Sequence, residues 1–319
     1  YVEMAQVQIL AGEYEAAETS ARNALLLNPN NPQAYVTLAW ALGFLGETLE
    51  AEEHLLRAIS LDPTNAEALA ILAELQADAG DYVGAGDNSR AALEINPNSF
   101  IVRRARGYVL ELTANYEEAI EMYTSALELN SNISELHIAL GRVYWASALY
   151  DEALEEFALA NSLNPADPTP DAYQARIYIT LGEYSKAIQA AEQALAEDAG
   201  NPFRYGVLGM AFFRNLQNED AIDVLQFAIH GGTTEEGVIV NGLPIDYGEV
   251  ATYYAMYAIA LARVNRCSEA LPITQAMLTN LAADEISVEN AEFAIGICEE
   301  QVGQPTPTPE PEPEETPES

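Results

Sequence analysis

Three histidines, two cysteines and a single lysine, Lys186, are the residues of this chain best suited to acid–base, nucleophilic or metal chemistry. Their spacing serves none of it. His54, His137 and His230 are far apart along the sequence. No His-Glu-x-x-His, Gly-x-Ser-x-Gly, Cys-x-x-Cys or phosphate-loop pattern occurs. His230-Gly231-Gly232 is rich in glycine but lacks the lysine and the strand that a phosphate loop requires. Carboxylate pairs are common, as 50 acids against 13 bases make them by chance. A reaction needs convergent groups, so the expectation is a non-enzymatic protein without a cofactor or a metal site. No EF-hand spacing organises the acids for calcium. The formal charge of −37 repels nucleic acid. No stretch of ~18 apolar residues could span a membrane.

The chemistry must therefore come from a surface, and the elements that build one recur in register. Ala17, Ala51, Ala85, Ala119, Ala153, Ala187 and Ala221 fall 34 residues apart, and so do Ala24, Ala58, Ala92, Ala126, Ala160, Ala194 and Ala228. Tyr14, Tyr82, Tyr116, Tyr150 and Tyr184 form a third column, and Pro29, Pro63, Pro97 and Pro165 a fourth. A fixed period of this length means stacked supersecondary repeats. Each repeat reads as two helices. In the fifth, His137, Leu140, Gly141 and Tyr144 lie on one stripe of the first helix, and Ala153, Phe157 and Ala160 on one stripe of the second. The alanines and glycines let the two backbones approach. The tyrosines are placed to wedge into the turn, and the prolines end the second helix.

The period and the helix–turn–helix repeat resemble the tetratricopeptide repeat family. The resemblance spans about 1–230 and resumes over about 251–303. Thr48 and Asn218 depart from the turn tyrosine, and Ser131 and Ala199 from the proline. It implies an all-α, right-handed α-solenoid of about eight helix–turn–helix repeats with a C-terminal capping helix. Seven repeats fill 1–230, the first incomplete because Tyr1 aligns with a repeat's fourth position. A non-helical insertion occupies 231–250, where Asn241-Gly242 predicts the type I′ turn of a small hairpin. An eighth repeat and a cap, at about 288–302, complete 251–303. Residues 304–319 form a Pro/Thr/Glu-rich tail.

In this family the exposed stripe of each first helix lines a concave groove that binds peptides. By that resemblance the groove residues are Trp40, Phe44, Arg104, Tyr108, Arg142, Trp145, Arg176, Phe213, Arg214 and Arg263, beside Ile179, Phe203 and Met210. From the fourth repeat on, the stripe holds five arginines and only two acids, Glu111 and Glu135. The third repeat breaks the pattern with Glu67, Glu74 and Asp78. Two readings stay open. The arginines bind carboxylates of a partner, or they pair with acids of neighbouring helices. The first implies a protein or peptide partner that is acidic or carboxylate-bearing. The acidic, proline-bearing tail offers such a ligand to the next copy, so the alternative is a subunit of a filament built by end-to-end stacking.

Cys267 and Cys298 either form a disulfide that staples the cap or remain two packed thiols. Asn132 heads the one N-glycosylation sequon, and Thr306 and Thr308 of the tail could carry O-linked sugars. Together these suggest an extracellular or cell-surface protein of a prokaryote.

Overall fold

The alanine columns decide the architecture. In a computed structural model, which describes residues 1–302, all seven alanines of the first column are 0% exposed. The chain divides into two compact bodies, Tyr1–Ala166 and the part from Asp167 on. The division falls within the run of repeats, where Pro165, Pro168 and Pro170 cluster.

The amino-terminal body stacks five helix pairs. They are α1 (Val2–Leu10) with α2 (Tyr14–Leu27), α3 (Pro32–Phe44) with α4 (Thr48–Leu61), α5 (Ala66–Asp78) with α6 (Tyr82–Ile95), α7 (Phe100–Leu112) with α8 (Tyr116–Leu127), and α9 (Ser134–Ala146) with α10 (Tyr150–Leu163). The carboxy-terminal body pairs α11 (Thr169–Leu181) with α12 (Tyr184–Glu197) and α13 (Pro202–Arg214) with α14 (Asn218–His230). After strands β1 (Gly232–Thr233) and β2 (Ile239–Val240) come α15 (Glu249–Arg263), α16 (Cys267–Asn280) and the capping helix α17 (Glu285–Val302). The cap begins one turn earlier than the sequence pattern suggests, since Asp284 accepts from the Ser287 hydroxyl and the Val288 amide.

Local chemistry sets the helix ends. Asn31, Asn65 and Asn201 cap first helices by accepting from the amides of Gln33, Ala68 and Phe203. Pro32 and Pro202 follow at the first helical position, where a missing N–H costs nothing. Second helices end at Asn28, Asp62, Asn96 and Asn164 in non-helical conformations, each before a proline of the fourth column. The turn tyrosines open the second helices; Tyr14 and Tyr116 are half-buried against the core, while Tyr82 is exposed.

Each first helix meets its partner through one small residue, and the volumes opposite are matched. Gly107 faces Tyr123, Gly141 faces Phe157 and Gly209 faces Leu225. Where this column has alanine (Ala39, Ala73, Ala175), the residue sixteen positions on is Leu55, Ser89 or Ala191. A Cβ on Gly141 would lie 2.8 Å from the Phe157 ring.

The turn between paired helices needs one left-handed residue. Gly12, Gly46, Gly80 and Gly182 supply it freely, while Ala114, Ala148, Leu216 and Asn265 adopt φ of 57–63° with a side chain attached.

The insertion forms a hairpin, but elsewhere than the sequence suggests. Gly232 pairs with Val240 and Thr233 with Ile239. The turn is closed at Thr234, whose amide donates to the Val238 carbonyl and whose carbonyl accepts from the Gly237 amide. Asn241-Gly242 is not the turn. Gly242 lies so close to Gly231 that a Cβ would stand 2.6 Å from the Gly231 amide nitrogen. Val240 packs with Tyr205 and Ala228, and the Leu243 amide donates to the Ala228 carbonyl. Cys267 and Cys298 are joined in a disulfide, with Cα atoms 5.6 Å apart. Beside it, the Gln301 amide donates to the Ala262 carbonyl at 2.8 Å.

Two substitutions test this account. Gly141→Ala should destabilise by about 1–3 kcal/mol through overpacking, read as a lower urea midpoint, and combination with Phe157→Leu should recover part of the loss. Leu216→Gly should stabilise by roughly 0.5–1 kcal/mol, because relief of left-handed strain exceeds the added chain entropy. Leu216 is 73% exposed, so little packing is lost, and a lowered midpoint would contradict the strain argument.

Candidate functional site

In the amino-terminal body the first helices enclose a cleft of about 280 Å³, lined by Phe44, Glu74, Asp78, Arg104, Tyr108, Glu135 and Arg142 among others. The groove residues expected here are brought together, but their chemistry differs from expectation. Arg104 Nη2 is 2.7 Å from Glu74 Oε2. Arg142 grips Glu111 with both arms, at 2.8 and 3.0 Å. The Tyr108 hydroxyl donates to Asp78, and the Tyr123 hydroxyl donates to Glu111 at 2.8 Å. The stripe's positive charges are therefore largely consumed within the body.

The partners follow a rule. Glu74 and Arg104 are 30 residues apart, as are Asp78 and Tyr108, and Glu111 and Arg142 are 31 apart. A stripe residue thus meets the stripe residue of the next repeat lying one helical turn earlier in register. Burial raises the Tyr108 hydroxyl pKa well above its ordinary value, and Asp78 adds to this. Burial likewise raises Tyr123, with Glu111 contributing. The Glu74 carboxyl is held above the usual carboxylate range by burial, opposed by Arg104 and assisted by Asp78.

Aromatic residues line the adjoining wall. Tyr14 and Phe44 stack at 4.5 Å between ring centres, and Phe44 remains 47% exposed. Trp40 is 6% exposed: its ring packs among the buried apolar side chains of α3 and α5 and shows an edge to the hollows beside Phe44. The Arg104 guanidinium lies over the Trp40 ring at 5.2 Å. Trp145 is half-buried on the last turn of α9.

In the carboxy-terminal body, Arg176 Nη1 is 2.6 Å from Glu249 Oε1. Burial opposes the Arg176 charge, but the bond to Glu249 outweighs it and raises the guanidinium pKa. Glu249 is the first residue of α15, so the insertion ahead of it delivers the partner. Arg263 stands apart. Its guanidinium lies 4.8 Å over the Phe213 ring and its one polar contact among the described residues is a 3.5 Å bond to Asn218. Arg214, next to Phe213, is exposed and has no ion pair among the described residues.

The histidines serve packing. His137 contacts Glu156 at 2.6 Å and the Ser131 carbonyl at 3.1 Å, tying α9 to α10. His54 lies 3.4 Å from Glu50, and His230 meets the Tyr257 ring edge-on. Among the described residues no His, Cys, Asp and Glu side chains group as a metal site would require, and no helix is long and apolar enough to cross a membrane. Asn132 is exposed in the loop before α9. Thr306 and Thr308 lie outside the described residues.

The sequence reading missed Tyr14, Tyr123 and Glu249, and it treated Glu74 and Asp78 as breaks in the stripe. The 30- and 31-residue spacings were the available signal. Removal of Glu111 should therefore be costly. Glu111→Ala strips the buried Tyr123 hydroxyl and the Arg142 fork of their acceptor, and about 2–4 kcal/mol should be lost, seen as a lower urea midpoint. A change under about 0.5 kcal/mol would show the fork to be a solvated surface pair.

Known structures share this architecture at low identity. Pseudomonas aeruginosa pilF matches at 24% identity and TM-score 0.54, covering 61% of this chain and 90% of that one. A human IFIT1 dimer with PPP-AAAA matches at 18% and 0.62, covering 92% and 70%. Yeast Tom70 matches at 17% and 0.50, covering 91% and 60%. These likenesses show the fold alone. No curated protein sequence matches the chain. Three family models, each described as a tetratricopeptide repeat, match residues 36–100, 113–177 and 174–203. With helix pairs repeating in each body, these matches make the chain a tetratricopeptide repeat protein.

Proposed function

We propose that the chain is a non-catalytic scaffold that holds an acidic, extended segment of a partner protein at the Phe213–Arg214–Arg263 surface of its carboxy-terminal body. Tetratricopeptide repeat proteins bind proteins or peptides, which gives the class. The observation that carries the finer reading is the Arg263 guanidinium, laid on the Phe213 ring at 4.8 Å with no carboxylate partner among the described residues. A guanidinium fixed on an aromatic face keeps its outer N–H groups directed for a carboxylate, at little entropic cost. Arg214 adds a second, exposed charge. An extracellular or cell-surface setting belongs to the proposal. It is supported by the Cys267–Cys298 bridge, since disulfides persist in oxidising compartments.

The chain's own tail has the required chemistry, with Glu310, Glu312, Glu314 and Glu315 among prolines. Self-assembly through the tail of a second copy is therefore the alternative source of ligand. The test uses a synthetic peptide of residues 304–319 and a chain ending at 303, followed by fluorescence anisotropy. Saturable binding should weaken at least tenfold in Arg214→Ala/Arg263→Ala, and the full chain should form concentration-dependent larger species in light scattering if the tail acts in trans. Binding that is absent, or indifferent to both arginines, would refute the surface.

A further inference from the structure

The cleft of the amino-terminal body has the opposite polarity. Its two arginines are occupied, Arg104 by Glu74 at 2.7 Å and Arg142 by both oxygens of Glu111. Two carboxylates remain. Among the described residues, exposed Asp78 accepts only the Tyr108 hydroxyl, and Glu135, exposed at the start of α9, has no ion pair. An incoming carboxylate would have to displace Glu74 or Glu111 from an arginine and leave it poorly solvated. An incoming cation displaces nothing.

The wall beside these carboxylates suits a cation. Tyr14 and Phe44 stack at 4.5 Å with 11° between planes, and the Phe44 ring is half open to solvent. The cleft already holds one guanidinium in this way, Arg104 over Trp40 at 5.2 Å. The local potential agrees: Glu135 helps to raise the Tyr14 hydroxyl after burial, and Asp78 pushes up both Tyr108 and Glu74. A charge of −37 over the chain would speed the approach of a basic partner.

We infer that this cleft binds an arginine or lysine side chain from a basic, extended segment of a partner protein, with the cation between the exposed Phe44 ring and the carboxylates of Glu135 and Asp78. Cation–π contact and a charge-assisted hydrogen bond act on the same group. The inference rests on the scaffold reading above but uses a different surface and a ligand of opposite charge.

The test is anisotropy with a labelled Gly-Ser-Arg-Arg-Arg-Ser-Gly peptide at 150 mM salt, against the full chain. Glu135→Gln and Phe44→Ala should each weaken binding at least fivefold. Glu155→Gln, which removes an exposed acid on the outer helix α10, should change it less than twofold. Circular dichroism melts establish that the variants remain folded, and Phe44→Tyr, which keeps an aromatic face, should restore binding. Equal losses for Glu135→Gln and Glu155→Gln would reduce the effect to a diffuse field and overturn the site. Spermidine competing at equal concentration would overturn the peptide-segment assignment. If the acidic tail peptide binds and the arginine peptide does not, this inference alone fails. If neither binds, the scaffold reading fails with it.

Discussion

The close approach of two helices within each repeat is the constraint on which the rest depends. Alanine in the second helix and glycine or alanine in the first let the backbones come near enough for the large residues to lock over them. Tyr123 over Gly107 and Phe157 over Gly141 are the clearest cases. Because packing density is near its limit there, volume gained on one side must be lost on the other. The pairs Ala73–Ser89 and Ala175–Ala191 follow that compensation, whereas Ala39–Leu55 keeps the leucine found opposite Gly209. Within the amino-terminal body this approach recurs from repeat to repeat and sets the exposed stripe of one first helix beside that of the next.

That constancy turns a repeat into an electrostatic device. Contacts at 30 or 31 residues join successive stripes as one ladder, Glu74 to Arg104, Asp78 to Tyr108 and Glu111 to Arg142. Two of the rungs neutralise an arginine with an acid supplied one repeat earlier, and the third ties a tyrosine hydroxyl to such an acid. Partly buried ion pairs of this kind add little net stability, since desolvation offsets much of the attraction. They do fix the orientation of both side chains, and they decide which charges remain for a ligand.

The fold was legible because its signals are columnar. The alanine columns, the helix-ending prolines and the glycines of the turn all recur at 34 residues, so local chemistry and repeat register agree. The insertion was harder. Asn241-Gly242 has the composition of a hairpin turn, but the chain pairs Gly232 with Val240 because Val240 can then bury against Tyr205 and Ala228. Burial of one valine outweighed local turn preference. The cleft was legible in its membership and not in its charge. Phe44, Arg104, Tyr108 and Arg142 do converge, but counting the stripe repeat by repeat set aside Glu74 and Asp78, the acids that reach forward to the next repeat. Trp40 sits on the stripe by register and in the core by contact, since a large ring beside small neighbours sinks between helices.

The number of arginines on a surface therefore says little about what that surface binds. What matters is how many carboxylates each one has already met. In the amino-terminal body the acids of one repeat lie one helical turn behind the arginines of the next, and the stripe closes on itself. In the carboxy-terminal body the insertion resets the register. Arg176 then takes Glu249 from the start of α15, while Arg263 at the far end of the same helix finds, among the described residues, only the Phe213 ring and Asn218. Among the described residues an acid therefore stands at one end of α15 and none meets the arginine at the other. Removing Glu249 from Arg176 would cost about 3–5 kcal/mol, because a half-buried guanidinium would lose its partner, and Arg263 has no such partner to lose among the described residues. On the reading proposed above, an interruption of the repeat is thus the means by which a self-neutralising surface keeps a cation for a partner.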